Sequence, residues 1–188
     1  DQVYEELKAG ESTPAFNNDK NELTREGYTF MGWAPTWNPK VDPNMADNDG
    51  VITYTATWQK KGLSKFTKEL VETAKEAPEG VTGITYPDAN GTVIVPADGT
   101  SITLLYKITV TGEKGTPYEV TDEGAKWVSG APMKGTIPDS GKAVIYVTKS
   151  FTENDIDEGY LYNVAKVVPG TNGGSNTTSL EKTPAEVE

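Results

Sequence analysis

The second half of the chain alternates. Over residues 101–111, Ile102, Leu104, Tyr106, Ile108 and Val110 fall at every second position, the spacing that puts one row of side chains on one face of a β-strand. The same reading predicts strands over 92–95, 118–122, 127–128 and 142–151, and a last one over 159–168. In that last stretch Leu161, Asn163, Ala165 and Val167 share a face, and Tyr160, Tyr162, Val164, Lys166 and Val168 share the other. Lys166 belongs in water, so the Leu161/Ala165/Val167 face turns to the core and takes Asn163 with it. A carboxamide among apolar groups is costly unless something specific meets it.

The first half is less regular. Val3, Tyr4 and Leu7 fall on one helical face before Gly10, which predicts a short helix over 1–9 with a glycine C-cap. An extended segment follows Pro14, then a polar loop to Arg25. Tyr28, Phe30 and Gly32 alternate with Thr29, Met31 and Trp33, and 51–58 alternates strongly, so both read as strands. Residues 63–77 are ambiguous. Leu63, Phe66, Leu70, Ala74 and Ala77 keep helical spacing, yet as a strand Phe66, Lys68 and Leu70 share a face. We read 65–71 as a strand, followed by a helical turn over 72–77, because everything after it has strand character.

Lys60-Lys61-Gly62 is short and polar, a hinge between two units. Short strands at this spacing, punctuated by 19 Gly and 12 Pro, predict a mostly β fold, with an immunoglobulin-like β-sandwich over 63–168. Residues 169–188 carry Gly-Gly, Ser-Asn-Thr-Thr-Ser and Glu-rich ends with little apolar content, the composition of a disordered linker. The opening Asp1-Gln2-Val3-Tyr4 reads as a cut from something longer.

Charge and composition exclude more than they assign. The chain of 188 residues has 17 basic against 28 acidic residues, a net charge of −11, and such a surface repels phosphate backbones, so no nucleic-acid partner is expected. It has no cysteine and no histidine. Disulfides, thiolate metal sites and both serine–histidine and cysteine–histidine catalysis are thereby excluded. No apolar run reaches membrane-spanning length, so no membrane insertion is expected of this stretch.

Two sets of residues carry family resemblances. Leu7, Gly10 and Pro14, then Gly27-Tyr28-Thr29-Phe30-Met31-Gly32-Trp33, then Tyr54-Thr55-Ala56-Thr57-Trp58 resemble the Listeria–Bacteroides repeat, also seen as the internalin B-repeat. The resemblance implies a small β-grasp-like module over 1–60, truncated at its front because the family's first strand should precede Asp1. The second set is Tyr106-Lys107-Ile108-Thr109-Val110, Val120-Thr121-Asp122 and Asn163-Val164-Ala165-Lys166-Val167. It is similar to repeats of Gram-positive surface proteins, and more loosely to the pilin and collagen-adhesin class of immunoglobulin-like domains. That resemblance implies an extracellular, cell-wall or secreted location. It also implies a structural stalk or spacer role supporting adhesion, with host surface protein or glycan as partners of the full-length protein. A ligand-binding adhesin module and a non-catalytic accessory part of a large secreted hydrolase are the rival expectations. No enzyme activity and no cofactor are expected.

For Asn163 two readings stand. Its amide bonds backbone groups of a neighbouring loop, or, as the resemblance implies, it is one end of a self-formed Lys–Asn isopeptide bond beside an acid. Lys68 fits the lysine by position and parity, and Asp122, on one face with Tyr118 and Val120, fits the acid. Burial of an amine and a carboxyl favours the neutral form of each, so the amine can attack the carboxamide carbon while the acid polarises its carbonyl. The competing reading of Lys68 is an exposed helical lysine paired with Glu72. The acidic run from Asp42 to Gly50 lacks the calcium-loop pattern, with Ala46 at a ligand position and no closing Glu, and reads as a turn rather than a metal site. Asn90-Gly91-Thr92 and Asn176-Thr177-Thr178 match a glycosylation sequon, of little weight given the bacterial source that the resemblance implies. Trp37, in a Pro-flanked loop, is the candidate for an exposed ligand contact, while Tyr28 and Trp58 read as core.

Overall fold

The computed structural model describes residues 1–20 and 22–188. The fold is mostly β, and the chain divides into two compact units, Asp1–Lys61 and Gly62–Glu188.

In the first unit β1 (Tyr28–Ala34) and β2 (Thr55–Lys60) form one antiparallel pair, with Tyr28 opposite Lys60, Trp33 opposite Ala56 and a bulge between Phe30 and Gly32. Phe30 meets Trp33 and Trp58 edge-on at 5.4 and 5.6 Å between ring centres, and Phe16 lies 5.3 Å from Trp33. These rings are half-buried, as is Tyr28, so the expected core of Tyr28 and Trp58 is partly open to solvent. The helix expected over 1–9 does not form. Glu6 adopts φ 58, outside the helical region, and Val3, Tyr4 and Leu7 are exposed. A single short helix is marginal unless its apolar face has something to cover, and here it covers nothing.

The second unit has two sheets. One runs β3 (Leu63–Leu70), β5 (Ile102–Gly112), β9 (Lys142–Phe151), β7 (Lys126–Gly130). The other runs β4 (Val93–Val95), β11 (Thr177–Val187), β10 (Tyr160–Val168), β6 (Pro117–Asp122), β8 (Lys134–Thr136). Their inner faces enclose a single core, as in a β-sandwich. Leu104, Tyr106, Ile108 and Val110 of β5 and Ile145 and Val147 of β9 meet Leu161, Ala165 and Val167 of β10 and Val93 and Val95 of β4. Each fully buried aliphatic side chain in such a core contributes about 1.5–3 kcal/mol.

Two expectations are settled here by pairing rather than by propensity. Residues 63–77 keep helical spacing, but β3 forms instead because β5 offers it a full ladder, from Phe66 opposite Val110 to Leu70 opposite Tyr106. Residues 72–77 make a hydrogen-bonded turn, Glu76 N to Thr73 O at 3.1 Å, rather than a helical one. The disordered linker expected over 169–188 is corrected more sharply. Thr177–Val187 is a strand lying between β10 and β4, antiparallel to the first and parallel to the second. Its inward row ends in Thr183 and Ala185, both buried. The low apolar content hid an alternation whose small inward residues complete a sheet that the rest of the chain supplies.

Candidate functional site

The site is built where the two sheets face each other. On β3 the inward row after the bulge holds Phe66 and Lys68. On β6 the alternation Tyr118, Val120, Asp122 points inward, and Asp122 is the last residue before the turn that Ala125 N closes onto its carbonyl at 3.1 Å. On β10 the inward row is Leu161, Asn163, Ala165 and Val167. Asp122 pairs with Ala165 across the ladder, which sets its side chain diagonal to Asn163 on the same face. Lys68 reaches the pair from the opposite sheet.

The three side chains predicted from sequence are therefore together and buried, with residue exposures of 3% for Lys68, 9% for Asp122 and 3% for Asn163. Lys68 Nζ donates to Asp122 Oδ2 in a short, fully enclosed ion pair. The same oxygen accepts from Asn163 Nδ2 at 3.4 Å. Lys68 Nζ also lies 4.4 Å from the centre of the buried Tyr106 ring. Burial pulls the Lys68 amine below its ordinary value of 10.5; the hydrogen bond and charge of Asp122 oppose that, and the neighbouring Lys149 cation adds to it. Asp122 Oδ1 is buried with no hydrogen-bond partner among the described residues, an acceptor left open beside the ion pair.

Three residues of the site were not anticipated. Tyr106 supplies the ring under Lys68. Glu181 on β11 pairs with Asn163 across the ladder. Its carboxyl is raised above the usual range by burial and by Glu69 and Glu72, and held back by Lys68. Lys149 on β9 donates to Asn163 Oδ1 at 3.5 Å. The parity of β9 could have found Lys149, which follows Ala143, Ile145 and Val147 on the inward row.

Compared with family models, curated proteins and solved structures, the chain matches none. The site's chemistry therefore rests on its own geometry. Three elements on two sheets bring an amine, a carboxyl and a carboxamide to one buried point, the reactants of an amide exchange.

The other candidates fall elsewhere. Trp37 is half-buried and stacks on Tyr54 at 5.1 Å, with Tyr54 Oη accepting from Asn38 N at 3.4 Å, so its ring already has a partner within the unit. In the acidic run, Asp42 caps a one-turn 3-10 segment (Pro43–Met45) and Asp47 Oδ1 accepts from Asp49 N and Val51 N, both at 2.9 Å. Those carboxylates close backbone turns. No helix among the described residues is long and apolar enough to cross a membrane.

Proposed function

We propose that this chain is a structural module of a bacterial surface or secreted protein, a stalk or spacer whose larger unit locks itself with a Lys68–Asn163 isopeptide bond. The observation that carries the reading is the shared Asp122 oxygen, on which the attacking amine and the departing amide nitrogen converge. Lys68 passes a proton to Asp122 and its nitrogen lone pair attacks Asn163 Cγ. Asp122 gives that proton to Nδ2 and takes the second proton from the Lys68 nitrogen, the Cγ–Nδ2 bond breaks, and one neutral ammonia leaves for each amide formed, with Asp122 left protonated. Without the bond, a lysine and an aspartate held fully out of water are an expensive pair, costing several kcal/mol per ion before their mutual attraction. With the bond the amine is gone, and the enclosure that looked costly is simply the interior of a crosslinked sandwich.

On this reading Gly62–Glu188 is immunoglobulin-like, of the pilin and collagen-adhesin class, and Asp1–Lys61 is a β-grasp-like repeat, the latter supported by the aromatic β1–β2 pair alone. The location is extracellular, and the chain turns over no external substrate. Host protein or glycan binding belongs to the full-length protein. A ligand-binding module is the weaker alternative because Trp37 is occupied by Tyr54.

Intact-mass measurement on denatured protein tests the proposal. The wild type should be lighter than its sequence mass by one ammonia, and Lys68→Ala and Asn163→Ala should each have full mass. A wild type of full sequence mass refutes the bond and leaves Asn163 as a structural amide hydrogen-bonded to Asp122.

A further inference from the structure

An amide is a poor electrophile, and an acid already engaged with the nucleophile and the leaving nitrogen does not also hold the carbonyl oxygen. In this site Asp122 Oδ2 faces Lys68 Nζ and Asn163 Nδ2. The oxygen of the same amide faces another residue, Lys149, whose Nζ lies 3.5 Å from Oδ1. The orientation of the Asn163 amide is self-consistent. The donor nitrogen meets a carboxylate and the acceptor oxygen meets an ammonium, whereas a flipped amide would set like against like at both ends.

Resting on the crosslink reading above, we propose that Lys149 is a catalytic residue of the reaction, the cation that receives the oxyanion forming on Asn163 Oδ1. When the Lys68 nitrogen adds to Cγ, the C=O π pair moves onto Oδ1, and the negative charge grows directly in front of the Lys149 ammonium. On collapse the pair returns to re-form the carbonyl, the C–Nδ2 bond breaks, and ammonia carries away the proton relayed by Asp122. Asp122 keeps the second proton lost by the Lys68 nitrogen and Lys149 is charged before and after, so the step balances with no other reactant. A fixed charge aimed at the developing oxyanion is the arrangement that accelerates acyl transfers most.

Several features of the fold keep Lys149 in that place. It is half-buried on the inward row of β9, with its ammonium 5.5 Å from the centre of the Phe151 ring. The turn after Asp122 passes its stem at Gly124, which has φ +75; a Cβ there would come within 3.4 Å of Lys149 Cε. Glycine is favoured there by the positive φ, and its bare Cα leaves the Lys149 stem room beside the turn. An open cleft bounded by Glu123, Gly124, Tyr162 and Leu180 ends on Lys149 and Asn163. Through it the Lys149 head keeps contact with water, and the ammonia released at Asn163 has a way out. The second cation also bears on the nucleophile, since its charge favours the neutral amine of Lys68.

Cell-free synthesis of the full chain, quenched at intervals in denaturant and followed by intact mass, reads the rate of ammonia loss directly. Lys149→Met should slow it by about 100-fold or more, the usual effect of deleting one oxyanion contact, while Lys149→Arg should restore most of the rate. A merely structural lysine would not show that charge-dependent rescue. Lys149→Gln, one atom shorter but still carrying a donor without the charge, should be slow as well, and it decides the matter if the Met variant does not fold. Met and Gln variants that react within threefold of the wild type overturn the role of Lys149 and leave the crosslink standing. A wild type that loses no ammonia overturns both. Peptide mapping closes the remaining route: a crosslinked peptide containing Lys149 in place of Lys68 would make Lys149 the nucleophile and refute the assignment.

Discussion

Joining residues 68 and 163 closes a loop of about 95 residues, and the entropy this removes from the unfolded chain corresponds to about 4–5 kcal/mol of stability. Comparing the wild type with one variant cannot isolate that figure. Asn163→Ala also deletes a buried hydrogen bond, and Lys68→Ala also strands Asp122 without its ion partner. A double-mutant cycle separates the terms. Each single substitution abolishes the bond, and the double variant abolishes it only once, so the two costs should overshoot the double by the whole crosslink energy, about 4–5 kcal/mol. Without a bond the two side chains communicate only through the shared Asp122 oxygen, a coupling of about 1 kcal/mol. Guanidinium unfolding of the four proteins supplies the energies. Calorimetry supplies a cross-check, since for a unit of about 125 residues the crosslink should raise Tm by roughly 15–20 °C. A coupling below about 1.5 kcal/mol would refute the reasoning.

Four further outcomes are expected. In Asn163→Ala, Lys68 remains an amine whose folded value lies below 10.5. Between that lowered value and 10.5 the unfolded chain binds more protons than the folded one, so stability should climb with pH there and level off above it. A wild type crosslinked as proposed has no amine at 68 and should lack that climb; equal slopes across pH 7–11 would contradict this. Trp37→Ala should destabilise the first unit by about 1.5–2.5 kcal/mol, half the usual cost of deleting a fully buried aromatic; unchanged stability together with lost glycan or protein binding would favour a ligand contact. Hydrogen exchange should find the amides of Thr177–Val187 protected, and rapid exchange throughout would restore the disordered linker. Trypsin should cut first at Lys60 or Lys61, between the two units, and first cleavage inside Gly62–Glu188 would argue against that division.

The parity of single strands was enough to find the three side chains that meet in the core. Asn163 stood out because Lys166 fixes which face of β10 is wet, and Asp122 followed from Tyr118 and Val120 on β6. Lys68 needed a decision against helix propensity, and pairing with β5 justifies it. Parity within one strand says nothing about which residues meet across the core. Lys149 carries the same alternation as Ile145 and Val147, but a lysine near a strand end reads as solvated until the opposite sheet is in place. Glu181 was missed for a different reason: β11 is mostly Thr, Ser, Glu and Lys, and composition alone cannot register that two neighbouring strands are waiting for it. The failed helix over 1–9 is the converse, a correct periodicity with no surface to bury it.

The position of β11 in the chain has a mechanical consequence. It begins after Asn163, so with the proposed bond formed a tension applied between Gly62 and Glu188 would pass to Lys68, cross the side-chain amide to Asn163 and leave through the end of β10. Residues 69–162 would carry none of it. Only the two segments outside the loop could lengthen, 62–67 and 164–188, about 31 residues or some 100–110 Å when drawn straight, where an uncrosslinked unit would pay out roughly 400 Å. The outermost length of chain, β11, would then act as a yielding element in series with a rigid block. It could peel from β10 and β4 under load and re-form when slack. Single-molecule extension of the wild type should show that short step and no long one, and Asn163→Ala should convert it into the long one; a long step in the wild type would mean the load runs through the strands after all.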